Sequence, residues 1–494
     1  MYKISLSILA VCFCLVLGSC KKSFLDINQN PNQATESSIT PDLTLAAQLS
    51  ATANRNASSW DFLNRWLGYW SASGGYSRAT QEMSYAIPNT FGEGIWNNIY
   101  YTVNQYKTME RKAEELDWKF YQGISKIMQA HEVGVLVDLY GNVPFSTAWD
   151  LSGNIRPSYD DAETIYKALI PMIDEGLALI KAADGSDRNI ATQDIMFEGD
   201  KTNWAKFANT LKLRFLIHTS NTNTFNVQEE IAKIQAEGSG FLGEGLGAMV
   251  QPGYSADKRN PYFNAHLFLQ NGNEADDYNR ANNFVLDLMK NMNDERYKRF
   301  YRPAAATGEF RGTSYGQDPV DENAGNRTSG IGYGPVPTAT SPMWIMTSVE
   351  AMFLRAEAVI RGWLPGDPQA AYNAAVTESF EYLNVPNAET EAAEYLAGLN
   401  PRVAWPTTGA MQDQIAVLAW QKYFALNGIQ ANETWTDIRR LGIVNPPLSV
   451  APERGTNTIP VRLLYPSGEY FYNSQNVNEQ GTISQFTSKI FWDK

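Results

Sequence analysis

The side chains that could do chemistry are sparse in this 494-residue chain, with one exception. Its three histidines, His131, His218 and His266, stand far apart, and His131 and His218 fall in helical stretches where a buried, hydrogen-bonded ring is the expected role. Its three cysteines, Cys12, Cys14 and Cys20, all lie in the first twenty residues, so the body offers neither a thiolate metal site nor a disulfide framework. With 53 acidic residues, no pair stands out as the acid and base of a hydrolase. The H-E-x-x-H and P-loop patterns are missing. Asn271 to Asp277 is acidic and loop-like, but it lacks calcium-loop spacing and reads as a solvated turn. Nothing here asks for a metal or a cofactor. The abundant chemistry is aromatic, at 12% of residues, and flat rings beside amides and guanidinium groups suit binding rather than bond-making.

Two stretches gather such rings. Residues 60–91 hold Trp60, Trp66, Tyr69, Trp70, Tyr76 and Tyr85, with Asn64, Arg78 and Gln81 nearby. Residues 254–315 hold Tyr254, Tyr262, Tyr297, Tyr301 and Tyr315, with Asn264 and Arg311. Trp60, Leu63, Leu67 and Trp70 also have the spacing of a buried helix face, and core packing is the commoner fate of any one ring. Ser and Gly around Trp70, Tyr76 and Tyr85 suggest exposure, so these three lead as ligand contacts, followed by Tyr301 and Tyr315. The net charge of -13 disfavours a general electrostatic hold on nucleic acid or anionic lipid.

The elements that must position these rings are mostly helical. Val349, Met352, Phe353, Ala356, Val359 and Ile360 make one helix face, closed by Gly362. Asp367 and Pro368 then open a second helix as N-cap and first residue, with Tyr372, Val376, Phe380 and Leu383 on its stripe. Similar hairpins are expected near 95–140, 158–219 and 411–441, the second opened by Ser158 with Asp161 in capping-box spacing. Four such hairpins predict a mostly α, tetratricopeptide-like scaffold, although the consensus of that repeat is not visible. Residues 41–494 are expected to form one body, whose ligand region lies in the irregular segments 56–92 and 238–345.

The N-terminus carries an address. Lys3 precedes an apolar run, Ile4 to Leu17, shorter than the roughly 20 residues of a spanning helix. Leu17-Gly18-Ser19-Cys20 then has the form of a bacterial lipobox. It predicts a signal peptide over 1–19, lipidation of Cys20 and a tether over 20–40 rich in Asn, Gln, Ser and Pro.

Several further stretches follow in order: Leu25-Asp26-Ile27-Asn28-Gln29-Asn30-Pro31-Asn32, Val137 to Phe145, Gly199 to Arg214, Trp435 to Arg440, and Arg462-Leu463-Leu464-Tyr465-Pro466. Together they resemble the SusD/RagB family of Bacteroidetes outer-membrane lipoproteins, in its SusD-like branch, over essentially the whole chain. The resemblance implies a surface-exposed, non-enzymatic nutrient-binding lipoprotein. Such a protein captures oligosaccharides, or in some branches peptides, and passes them to a SusC-like TonB-dependent transporter. For sugars, the candidate rings would serve as platforms and the amides and carboxylates would meet hydroxyls. The quoted stretches themselves read as scaffold, with Arg214, Arg439 and Arg440 placed to pair with carboxylates between helices. A lipid-anchored glycoside hydrolase is the alternative from another class.

Overall fold

The computed structural model describes residues 39–149, 153–407 and 409–494. The expected signal peptide, Cys20 and the tether as far as residue 38 lie outside the described residues. The helices that build the frame are α1 (Pro41–Ser58), α2 (Asp61–Trp66), α3 (Glu93–Glu115), α4 (Lys119–Tyr140), α5 (Ala162–Ala182), α6 (Lys201–His218), α7 (Ser348–Ile360), α8 (Pro368–Tyr382), α9 (Met411–Ala425), α10 (Ala431–Leu441) and α11 (Ser467–Tyr472). Among the described residues, other helices and six short strands lie between them: β1 (Trp70–Ala72), β2 (Val143–Pro144), β3 (Tyr159–Asp160), β4 (Ala248–Val250), β5 (Asn279–Ala281) and β6 (Met343–Met346).

Side-chain caps set several starts. Asp200 accepts from the Asn203 N–H at 2.8 Å, Thr347 from Glu350 at 3.1 Å, and Asp367 from Ala370 at 2.7 Å, each satisfying a backbone donor that the first turn leaves free. The start of α5 corrects the sequence reading. Its cap is Asp161, which accepts from Thr164 at 2.9 Å, and not Ser158. Tyr159 and Asp160 are drawn instead into strand β3, paired antiparallel with β2 (Val143–Pro144), and extended backbone cannot belong to a helix. At the other end of the preceding helix, Gly141 has φ 73°, the left-handed conformation that lets α4 stop and turn into β2.

The hairpins stack into one array. Helix α4 packs against both α3 and α5, α5 against α6, and α7 against α6, α8 and α9. The α4–α5 crossing is close because both helices present glycine. A Cβ on Gly123 would lie 2.4 Å from the Gly176 carbonyl oxygen, and one on Gly176 would lie 2.8 Å from that of Gly123. The stripes foreseen in sequence are buried, including Trp204, Phe207, Leu211 and Phe215 of α6 and Val349, Phe353 and Ala356 of α7.

Buried charges tie the helices together. Arg214 of α6 clamps Glu350 of α7 through Nε at 2.7 Å and Nη2 at 2.8 Å. Arg440 of α10 clamps Glu357 of α7 at 2.7 and 2.5 Å. Arg439 departs from the expected carboxylate pairing. It donates to the Asp138 and Val461 carbonyls at 2.8 and 2.9 Å, with its guanidinium over the Trp435 and Trp492 rings. His218 sits between Asp138 (3.3 Å) and Glu433 (3.0 Å). Burial pushes its imidazole down, but the two carboxylates outweigh that and raise it to about 9. His131 is pushed the other way, well below the usual range, by burial and the nearby Arg214 and Arg55 charges.

Candidate functional site

The two ring-rich segments meet through one short ladder. Strand β1 (Trp70–Ala72) pairs antiparallel with β5 (Asn279–Ala281), Trp70 facing Ala281 and Ala72 facing Asn279. The Ser73 N–H extends it by donating to the Tyr278 carbonyl at 2.7 Å. This pairing decides the fate of the candidate rings.

The exposure expected of Trp70 and Tyr85 is corrected, and Tyr301 and Tyr315, which followed them as candidates, are buried as well. The four are 1%, 0%, 1% and 3% exposed. Trp70 lies inside the β1–β5 ladder with its ring 5.1 Å from the His266 ring. The Tyr85 hydroxyl accepts from the Ser449 N–H at 2.8 Å. Tyr301 donates to the Tyr69 carbonyl at 2.8 Å, and Tyr315 to Glu82 at 2.8 Å. Each hydroxyl thus holds a fixed internal bond. Tyr76 alone of the five is exposed, at 42%; its hydroxyl donates to Asp277 and its ring meets Tyr278 edge-on at 5.2 Å.

Beside these rings opens a cleft of about 660 Å³ between the end of α1, α2 and the start of α3. Phe62 and Phe91 supply apolar surface and meet at 5.1 Å. Asn54, Ser58, Ser59 and Asn98 supply amides and hydroxyls. Arg55, Asp61, Arg65 and Glu82 complete the polar lining. Tyr254 reaches one end of the cleft, its hydroxyl 3.4 Å from the Asn54 side-chain oxygen. At the Arg65 end, that guanidinium lies 5.4 Å over the Tyr278 ring, which leads on to Tyr76.

The charges of the cleft are committed internally. Arg55 pairs with Glu132 at 2.5 Å and also donates to Asn98 at 3.0 Å. Arg65 grips Glu82 at 2.6 and 2.8 Å and reaches Asn279 at 2.6 Å. Burial works to raise the Glu82 carboxyl, but Arg65 and the Tyr315 hydroxyl bring it below the usual range. Asp61 is moved the other way. Burial raises it to about 6 against the pull of His266 and Arg65, with its oxygen 3.5 Å from His266 Nε2. His266 also bonds Asp276 at 2.8 Å and donates from Nε2 to the Ala57 carbonyl at 2.7 Å. Burial lowers that imidazole, and the Asp61 and Asp276 carboxylates raise it further than burial takes it down.

The acidic run 271–277 is an exposed turn over most of its length, as read from sequence, and only Asp276 is buried in it. Asp276 accepts from His266 and Asn279, Asp277 from Tyr76, and Glu274 pairs with Arg302 at 3.1 Å. Among the described residues, no group of three or more His, Cys, Asp or Glu is placed to hold a metal ion, and no helix is long and apolar enough to cross a membrane. Sequence reasoning missed Asp61, Glu82, Phe91 and Tyr278. The signal was there in part, since Asp61 and Arg65 stand four apart on one helix beside the ring-rich stretch.

A stack of helical hairpins is the architecture the comparisons also return. The chain matches the family model SusD-like_2, described as "Starch-binding associating with outer membrane", over residues 31–466. No curated protein matches it in sequence. Among solved structures, it resembles a SusD homologue from Bacteroides fragilis NCTC 9343 at 20% identity and TM-score 0.74, covering 92% of this chain and 99% of that one. It resembles a chitin-binding SusD homologue from Flavobacterium johnsoniae at 20% identity and TM-score 0.74, covering 91% and 98%. A SusD homologue from Bacteroides uniformis matches at 21% identity and TM-score 0.71, covering 91% and 99%. At these identities the structures speak for the fold. The family model, spanning most of the chain with the same frame beneath it, supplies the rest: this chain belongs to the SusD-like family.

Proposed function

We propose that this protein is an outer-membrane binding protein that captures neutral oligosaccharides in the cleft between α1, α2 and α3 and delivers them to a SusC-like TonB-dependent transporter. The observation that carries the reading is the make-up of that cleft. Half-buried Phe91 and the small exposed margin of Phe62 offer apolar surface to sugar C–H groups, while Asn54, Ser58, Ser59 and Asn98 offer groups for hydroxyls. The cations of the cleft are already paired with Glu132 and Glu82, which favours a neutral sugar over a uronate or sulfated one. The family description and the chitin-binding relative support the same ligand class. In this reading Cys20 carries the lipid anchor and residues 20–40 tether the body to the membrane. Titration calorimetry with maltohexaose and chitohexaose tests it. Saturable binding supports it, and binding of peptides in place of both sugars would transfer the site to the peptide reading.

One observation favours the hydrolase alternative: Asp61 and Glu82 line a common cleft with carboxyls displaced in opposite directions. Against it, both Glu82 oxygens are held by Arg65, and one also accepts from Tyr315. A base or nucleophile needs a free lone pair facing the substrate. Chromatography of maltohexaose and chitohexaose after long incubation separates the readings, because shortened products would establish hydrolysis.

A further inference from the structure

Three consecutive rings stand outside the cleft with no role in the frame. Phe471 and Tyr472 of α11 are 80% and 79% exposed, and Tyr470 is 37% exposed. Their mount is fixed on several sides. Glu469 accepts from the Tyr159 hydroxyl at 2.8 Å and from Asn473 at 3.1 Å, and Asn473 also donates to the Pro157 carbonyl at 2.9 Å. Ser467, at the start of α11, donates to Glu93 at 3.1 Å. Glu93 begins α3, and the next residues of α3, Gly94, Ile95 and Asn98, form a wall of the cleft. The exposed rings therefore stand on a helix whose start is bonded to the first residue of α3, the helix that walls the cleft.

We infer that Tyr470, Phe471 and Tyr472 form a second carbohydrate-contact zone for the portion of a long glycan that runs out of the cleft across α3; this rests on the oligosaccharide reading of the cleft. A fully buried ring removes roughly 150–250 Å² from water, so these rings at their exposures offer about 300–500 Å². A stable protein interface takes about 800 Å² from each partner. Successive helical residues also point about 100° apart, so the rings fan out instead of forming one broad flat face. Sugar units stack on rings one at a time and need no broad face. Contact at two linked zones makes the second event intramolecular, which strengthens binding of chains long enough to span both and leaves short ones unaffected.

The test uses the double variant Phe471→Ser/Tyr472→Ser of the full chain. Calorimetry with maltohexaose and chitohexaose reads the cleft, and affinity electrophoresis in gels with soluble amylopectin or glycol chitin reads long chains. The zone predicts that wild type holds a polymer at least roughly tenfold more tightly per site than the matching hexamer. It predicts that the double variant loses that excess while its hexamer affinity and melting temperature stay at wild-type values. Unchanged polymer retardation in the double variant overturns the zone. So does unchanged retardation accompanied by loss of self-association or of co-purification with a TonB-dependent transporter, which would make the rings a protein contact. If hexamers fail to bind but polymer retardation still depends on Phe471 and Tyr472, the cleft reading fails, and the zone is overturned as an extension of the cleft. If wild type binds neither polymer nor hexamer, both fail.

Discussion

Arg65 holds both oxygens of Glu82, at 2.6 and 2.8 Å, and the pair closes one end of the cleft while the same guanidinium covers the Tyr278 ring. The carboxylate cannot leave the guanidinium without moving the wall of the site. Replacing Arg65 by Ala strands a nearly buried charge, and removal of one partner of such a pair costs about 3 kcal/mol. Arg65→Ala is expected to lower unfolding stability by that order and to weaken sugar binding. Arg65→Lys should restore little, because an ammonium cannot match the two-point geometry. Urea unfolding of the three proteins checks this, and wild-type stability in Arg65→Ala would contradict it.

The burial of Trp70 and the exposure of Tyr76 predict opposite outcomes for two neighbouring truncations. Trp70→Ala removes a ring packed against His266 and is expected to cost about 3–5 kcal/mol. Tyr76→Ala removes an exposed ring and should cost under about 1 kcal/mol. Thermal unfolding of both variants reads the contrast, and equal losses would refute it.

A pH dependence follows from His218. Its imidazole titrates at about 9 in the folded protein against about 6.5 when unfolded, so its contribution is complete below pH 6.5 and disappears as pH rises through 9. The shift corresponds to stabilisation on the order of 3 kcal/mol. His266, raised as well, adds to the same fall. Denaturant midpoints measured from pH 6 to 9.5 should decline steadily, with a shallower decline in His218→Gln. A flat profile in the wild type would rule out the charged imidazole.

The lipid anchor has its own test. Cys20→Ser should abolish acylation and release the protein from membrane fractions, since a diacylglyceryl group contributes roughly 0.8 kcal/mol per buried CH₂. Retention of lipid in that variant would refute the assignment.

The helical frame was legible because its signals are local. Stripes such as Trp204, Phe207, Leu211 and Phe215 recur within single helices, and Asp200 and Asp367 cap the helices that follow them. The one misplaced start, at Ser158, came from a contact with β2 that no local pattern carries. The site was less legible for the same reason. Ser and Gly beside Trp70 suggested a loop, but its backbone pairs with a strand more than 200 residues away. Tyr85 adopts φ 63° in a turn and anchors Ser449, 364 residues further on. Phe91 and Asp61 became cleft residues only when α3 was laid beside α2. The rings at 470–472 could have been noticed as three consecutive aromatics, but their exposure could not.

The most direct test of the central claim fills the cleft without cutting any bond that supports it. Ser58 is exposed at the end of α1 and lines the cleft, so Ser58→Trp places an indole where sugar should lie. Calorimetry with maltohexaose and chitohexaose should show saturable binding to the wild type of at least one. The variant should bind that sugar at least roughly tenfold more weakly, a loss of about 1.4 kcal/mol or more, with an unchanged melting temperature. Wild-type affinity in Ser58→Trp would show that the ligand binds elsewhere and would contradict the account.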